Sequence, residues 1–189
     1  DLRIEEEVTK IRAKMGTTPN ADLNTTELDG SSTDAAEVLA SVSAYPFLAD
    51  KRLVIVKGML AWITRKGAGE TGKKAVERLA ADLPKLPEYS RLVFCERERL
   101  PDTHKIIKTA RDDANGYEKS FDAPKDSTQW IVKRASEQYN AQIEPQAAAA
   151  LASVTVGDLR RADNELLKLI SYVGDSRPIR ESDVELLTP

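Results

Sequence analysis

SAYPFLADKRLVIVK, residues 43–57, carries most of the information on this chain's architecture. Leu53-Val54-Ile55-Val56 is an unbroken aliphatic run, which reads as a strand buried on both faces. Ahead of it stand Tyr45, Phe47 and Leu48, broken by Pro46, and then a charged link, Asp50-Lys51-Arg52. Pro46 has no N–H and disfavours helix at the residue before it, so a helix entering this stretch should end near Tyr45. Bulky apolar groups at an element end are hard to bury fully. Either Phe47 and Leu48 fold back into their own core, or they form a tip that docks on a partner.

Upstream, Asp34 with Glu37 three residues later predicts a helix start, and Ala35, Val38, Leu39 and Val42 give that helix one apolar stripe. Ile4, Val8, Ile11 and Met15 recur at helical spacing, so residues 2–15 form an amphipathic helix closed by Gly16. Ala21-Asp22-Leu23-Asn24-Thr25 reads as a short strand ending at the turn signal Asp29-Gly30. Downstream, Met59-Leu60-Ala61-Trp62-Ile63 is apolar but of undecided state, and residues 67–72 read as a flexible loop. A helix with Val76, Leu79 and Leu83 inward stops at Pro84, and Leu92-Val93-Phe94-Cys95 predicts a second buried strand. Ile106, Ile107 and Ala110 mark another helix; Tyr117, Lys119 and Phe121 alternate as an edge strand would.

Strands alternating with helices predict an α/β domain with a mostly parallel sheet over residues 1–123. From Pro124 the pattern is helical only, which predicts a small all-helical domain over residues 124–189 with a hinge at Asp122-Ala123-Pro124. Its helices run from about Ser127 to Asn140, from Pro145 through the alanines 147–150, and from Asp158 through Leu159, Leu166, Leu167 and Ile170, with a short fourth, preceded by Ser182, that holds Val184 and Leu187.

The chain has 189 residues, 41% hydrophobic and 31% charged, enough for a sizeable core. Its net charge is −3, and residues 124–189 carry 8 basic and 10 acidic groups, so neither part is a basic block for nucleic acid. No apolar run approaches the ~20 residues of a membrane span, and the acidic, helical N-terminal stretch does not read as a signal peptide. One cysteine, Cys95, allows no internal disulfide and suits a reducing cytoplasm. The start at Asp1 rather than Met suggests a fragment.

Catalytic chemistry is mostly missing. His104 is the single histidine, and its setting, Asp102-Thr103-His104-Lys105, reads as an exposed first helical turn rather than half of a nucleophile pair. No Cys/His cluster has metal-ligand spacing. Glu5-Glu6-Glu7 reads as a solvated helix face. The motif Gly67-Ala68-Gly69-Glu70-Thr71-Gly72-Lys73-Lys74 matches a phosphate-binding loop up to the lysine. It has Lys74 where a Ser or Thr would ligate magnesium, and Ile63-Thr64-Arg65-Lys66 before it is a poor strand. An active nucleotide hydrolase using Lys73 and Arg160 is the alternative reading.

An α/β domain followed by a helical lid resembles the AAA+ module. The lid residues that carry this are Gly157-Asp158-Leu159-Arg160-Arg161-Ala162, Asn164-Glu165-Leu166-Leu167, Ile179 and Glu181-Ser182-Asp183-Val184. The resemblance matches Arg160 to a nucleotide-sensing arginine and the strand at 53–56 to one that normally ends in metal-binding acids. Here it ends in Lys57-Gly58, and residues 67–73 follow that strand instead of preceding it, so the resemblance implies a dead ATP site.

More specifically, the chain resembles the delta-subunit family of the bacterial DNA polymerase III clamp loader. The matching residues are Leu28-Asp29-Gly30, Leu39, the run from Pro46 to Val56, Leu92-Val93-Phe94, Phe121, Trp130-Ile131, Arg134-Ala135 and Asp158-Leu159-Arg160. The resemblance implies a subunit of the polymerase holoenzyme that is not catalytic by itself and needs no cofactor. Its implied partners are the sliding clamp (beta subunit), the ATPase subunits and delta prime, and primed DNA, in a bacterial cytoplasm. The implied clamp-binding residues are Tyr45, Pro46, Phe47 and Leu48, with Lys51 or Arg52 meeting acidic groups at the rim. Members of the family also have a strand before the first helix and a helical collar domain, which the resemblance puts outside residues 1–189.

Overall fold

The computed structural model describes residues 2–16, 22–122 and 124–188. Three strands form a parallel sheet in the order β1-β2-β3: β1 is Thr25–Asp29, β2 Arg52–Lys57 and β3 Ser90–Cys95. Thr26 stands opposite Val54, and Val54 opposite Leu92. The helices of this part are α1 (Leu2–Ala13), α2 (Ala35–Ser43), α3 (Met59–Thr64), α4 (Gly69–Asp82) and α5 (Lys105–Asp112). Leu53, Val54, Ile55 and Val56 are fully buried, as a central strand with both faces covered requires. Removing one such side chain from water is worth about 1.5–3 kcal/mol.

The helix over 35–43 forms as its sequence predicts. Asp34 caps it by accepting from the Glu37 N–H at 2.8 Å, and Ala35, Val38, Leu39 and Val42 are all buried. The undecided stretch after β2 is α3. The Glu96 carboxylate satisfies its open N-terminus by accepting from the N–H groups of Leu60, at 2.8 Å, and Ala61, at 3.1 Å.

Several expectations are corrected. The first strand begins at Thr25, not near Ala21; Asp22–Asn24 is a 3-10 turn, and Ala21 lies outside the described residues. Residues 92–95 are only half-buried: among the described residues β3 has a strand neighbour on one side only. Residues 69–72 are the first turn of α4 rather than loop. No strand forms at 117–121: Tyr117 is exposed, and the segment is pinned by side chains, Arg111 to Glu118 at 2.6 Å and Lys119 to Glu7 at 2.6 Å. His104 is buried, not exposed. Its Nδ1 caps α5 by accepting from the Ile106 N–H at 3.2 Å, a role histidine seldom takes and its neighbours do not announce. Burial holds its pKa below the usual histidine value.

By its contacts the chain divides into two units, Arg3–Ser120 and one from Phe121 onward. The division falls just before the expected hinge, of which Ala123 lies outside the described residues. The second unit holds α6 (Ser127–Tyr139), α7 (Pro145–Thr155), α8 (Leu159–Val173) and α9 (Glu181–Leu187). Ile131, Ala135, Leu151, Leu166, Leu169 and Ile179 build its core. Beside that core, Asp163 accepts two bonds from Arg134, at 2.7 and 3.0 Å, and one from the Tyr139 hydroxyl at 2.8 Å. Helix α9 starts one residue before Ser182, at Glu181; its N-cap is Arg180, whose N–H donates to Asp183 at 2.8 Å. Hydrogen bonds from Arg177 are the main cause that lowers the Asp183 carboxyl to about 2. No helix among the described residues is long and apolar enough to cross a membrane.

Candidate functional site: an apolar tip at the end of α2

A helix leaves its last four carbonyls without helical partners. At the end of α2 each one is answered. The Ala40 carbonyl accepts from the Ala44 N–H at 3.1 Å, and the Ser41 carbonyl from Arg52 Nε. The Val42 carbonyl accepts from Ser90 Oγ at 2.7 Å, and the Ser43 carbonyl from the Tyr89 hydroxyl at 2.8 Å. The three side-chain donors come from the start of β2, from the start of β3 and from the turn before it, so the helix end is tied to the end of the sheet where the parallel strands begin.

Beyond this anchored end the chain turns outward. Pro46 is buried, whereas Tyr45 is 82%, Phe47 60% and Leu48 73% exposed. The Tyr45 ring leans on Tyr89, their centroids 5.1 Å apart. Phe47 is held by its backbone: its N–H donates to Asn24 Oδ1 at 2.6 Å, and its carbonyl accepts from Asn24 Nδ2 at 2.8 Å. Leu48 follows with φ of 48°, in the left-handed region that bulky residues rarely enter. Among the described residues the other non-glycine positions with positive φ, Asn140 and Val156, cap helix C-termini, where that conformation is ordinary; Leu48 caps no helix.

Of the residues singled out in the sequence, Tyr45, Phe47 and Leu48 thus come together as an exposed apolar tip, and Pro46 forms its buried root. Lys51 is exposed close by. Arg52 is turned inward, to the Ser41 carbonyl and, at 3.3 Å, to Thr26 Oγ1. Asn24, Tyr89 and Ser90 were not legible as parts of this site. Asn24 lies inside a segment that reads as strand, and Tyr89 and Ser90 fall between the stop at Pro84 and the strand signal at Leu92, where no pattern singles them out. The 3-10 turn that supplies Asn24 also leaves Leu23 63% exposed.

Residues 67–73 are built differently. They comprise the end of the link from α3 and the first turn of α4, and the element before them is a helix, not a strand. A phosphate loop presents free N–H groups to its anion. Here Gly72 N–H is spent on the Ala68 carbonyl at 3.2 Å. A Cβ on Gly72 would overlap the Ile63 carbonyl oxygen, so this glycine serves close packing of α4 on α3. Lys73 lines a shallow depression with Arg65, Val76 and Lys105. At the end of β2, Lys57 stands where acids would hold a metal and pairs with Glu27 at 2.5 Å. Arg160 is exposed on the first turn of α8, whose N-terminus Asp158 caps. Among the described residues, no group of three or more His, Cys, Asp or Glu could hold a metal ion.

Comparison with known proteins gives this construction a context. The family profile described as DNA polymerase III, delta subunit, matches residues 1–119. DNA polymerase III subunit delta of Bacillus subtilis (strain 168) is 24% identical over 97% of this chain and 53% of its own length. The solved Bacillus subtilis DNA clamp loader delta protein superposes with a TM-score of 0.73 at 26% identity, over 98% of this chain and 54% of that one. A RuvB mutant of Thermotoga maritima aligns more loosely, with a TM-score of 0.47 at 14% identity over 88% of this chain and 53% of that one. The chain spans about half the length of the delta relatives it matches. Its α/β part with a parallel sheet, its helical part and its match over more than half of the sequence assign it: the chain belongs to the DNA polymerase III delta subunit family.

Proposed function

We propose that this chain is the clamp-binding part of a clamp-loader subunit in bacterial DNA replication, and that Phe47 and Leu48 enter an apolar pocket on the sliding clamp. The observation that carries the reading is the tip itself. Large apolar side chains stand 60–82% exposed on a backbone held by buried polar groups. Aromatic anchors that fill a partner's pocket dominate interface energies, and rigid presentation lowers the ordering cost of binding. Tyr45 and Pro46 shape the tip, Lys51 meets acidic groups at the rim, and Arg52 supports the helix end from behind. A subunit that binds the open ring more tightly than the closed one shifts the clamp toward opening by that difference in affinity.

In this reading the chain is not catalytic by itself and needs no cofactor. The α/β domain, residues 1–123, carries the clamp contact, and residues 124–189 are the lid. The partners are the clamp, the ATPase subunits, delta prime and primed DNA, in a cytoplasmic replisome on the nucleoid. The test is co-migration of the chain with a bacterial sliding clamp in size-exclusion chromatography, against a Phe47→Ala/Leu48→Ala variant. Co-migration lost only in the variant supports the proposal; equal co-migration of both proteins refutes it.

A further inference from the structure

We infer that Asn24 is a positioning residue: its buried amide latches the Phe47 backbone and sets the direction in which the Phe47 ring leaves the surface. The inference rests on the reading of the tip as a docking anchor. Asn24 is 1% exposed, in a 3-10 turn remote in sequence from the tip. Its amide makes the complementary pair of bonds with both polar backbone groups of Phe47, at 2.6 and 2.8 Å. Only one orientation of the amide does this, oxygen toward N–H and nitrogen toward carbonyl. The pair constrains φ and ψ of Phe47 as a strand neighbour would.

Apolar anchoring ends at Pro46, one residue before the latch. The Phe47 ring is mostly exposed, and Leu48 beyond it is in a left-handed conformation that persists only where its surroundings over-determine it. Without the latch, residues 47 and 48 relax into several conformers, of which a fraction fits a preformed pocket. The apparent affinity falls by that fraction. Ordering a freed residue or two at the moment of binding weakens it about tenfold.

A double-mutant cycle on the whole chain, read as affinity for an immobilised bacterial sliding clamp, tests the latch. Asn24→Ala is expected to weaken binding about tenfold in the parent and less than about twofold in the Phe47→Ala background, because its effect passes through that ring. Equal losses in both backgrounds would overturn the inference, as would no loss in the parent. Should Phe47→Ala itself leave affinity unchanged, the docking reading fails instead, and hydrogen exchange still judges the latch. In the parent the Phe47 amide is protected although the segment is exposed. In Asn24→Ala it exchanges at least tenfold faster, with Val54 and Ile55 of β2 unchanged. A Phe47 amide that exchanges freely in the parent contradicts the latch. Asn24→Asp, which keeps the acceptor and loses the donor, is the second variant should the alanine protein fail to fold, and it falls between parent and alanine in exchange rate.

Discussion

The tip at 45–48 and the glycine-rich joint at 67–73 both look functional in the sequence, and the structure separates them by what their backbones do. At the tip and the helix end beneath it, the Phe47 backbone is held by Asn24 and the carbonyls of residues 41–43 by Arg52, Ser90 and Tyr89, and the apolar side chains are left outside. At the joint the Ala68 N–H goes to the Arg65 carbonyl and the Gly72 N–H to the Ala68 carbonyl, and Gly72 is consumed by helix packing. A residue pattern can imitate a phosphate loop wherever two elements meet closely. Anchored backbone under exposed aromatics is harder to explain as packing alone.

Substitution at the joint sharpens this contrast most. Gly72→Ala is expected to destabilise the α/β unit by about 1–3 kcal/mol, measured as a lower thermal midpoint, since the new Cβ meets Ile63 backbone that cannot move aside cheaply. If Gly72→Ala is neutral or stabilising, as its better helix propensity alone would give, the packing account of this glycine is wrong.

The tip should behave in the opposite sense. Leu48→Gly removes the left-handed strain along with the side chain, so stability should hold or rise by no more than about 1 kcal/mol. Binding to the sliding clamp should fall at least about tenfold in the same variant. Loss of stability together with retained binding would mark Leu48 as core.

His104 gives a pH test away from both regions. Its pKa is lowered in the fold by burial, so folding contributes stability that is complete above the ordinary value near 6.5 and is lost as pH falls from there toward the lowered value. The thermal midpoint of the parent should therefore drop more between pH 7 and pH 5 than that of His104→Asn, which keeps a cap acceptor and does not titrate. Parallel pH profiles of the two proteins would contradict this. The smallest effect belongs to Lys73→Ala: stability, nucleotide binding and clamp binding should all match the parent. Micromolar nucleotide binding that this substitution abolishes would revive the hydrolase alternative.

Much of the fold was legible in residues 34–57. The cap at Asp34, the stripe Ala35, Val38, Leu39 and Val42, the break at Pro46 and the aliphatic run of β2 are local signals, and local signals were enough. The exposed half of the site was legible for the same reason, since a proline-broken cluster of aromatics at a helix end has a physical meaning by itself. Its supporting half was not. Asn24, Tyr89 and Ser90 act on backbone groups 23 to 48 positions away, and no spacing rule announces such a bond. His104 was misread because its burial depends on how α5 seats on the sheet domain, and its cap role on a side chain seldom used for one. The alternation at 117–121 is real in the sequence, but among the described residues no strand pairs with it, and ion pairs hold that segment instead.

The central claim is that Phe47 is an exposed docking anchor rather than a core residue. It is tested most directly by measuring, for Phe47→Ala and the parent, both the affinity for a bacterial sliding clamp and the thermal midpoint. The expected result is binding weaker by at least about thirtyfold, about 2 kcal/mol, with an unchanged midpoint. A lowered midpoint with normal binding by the protein that remains folded would contradict the account and move the interface elsewhere.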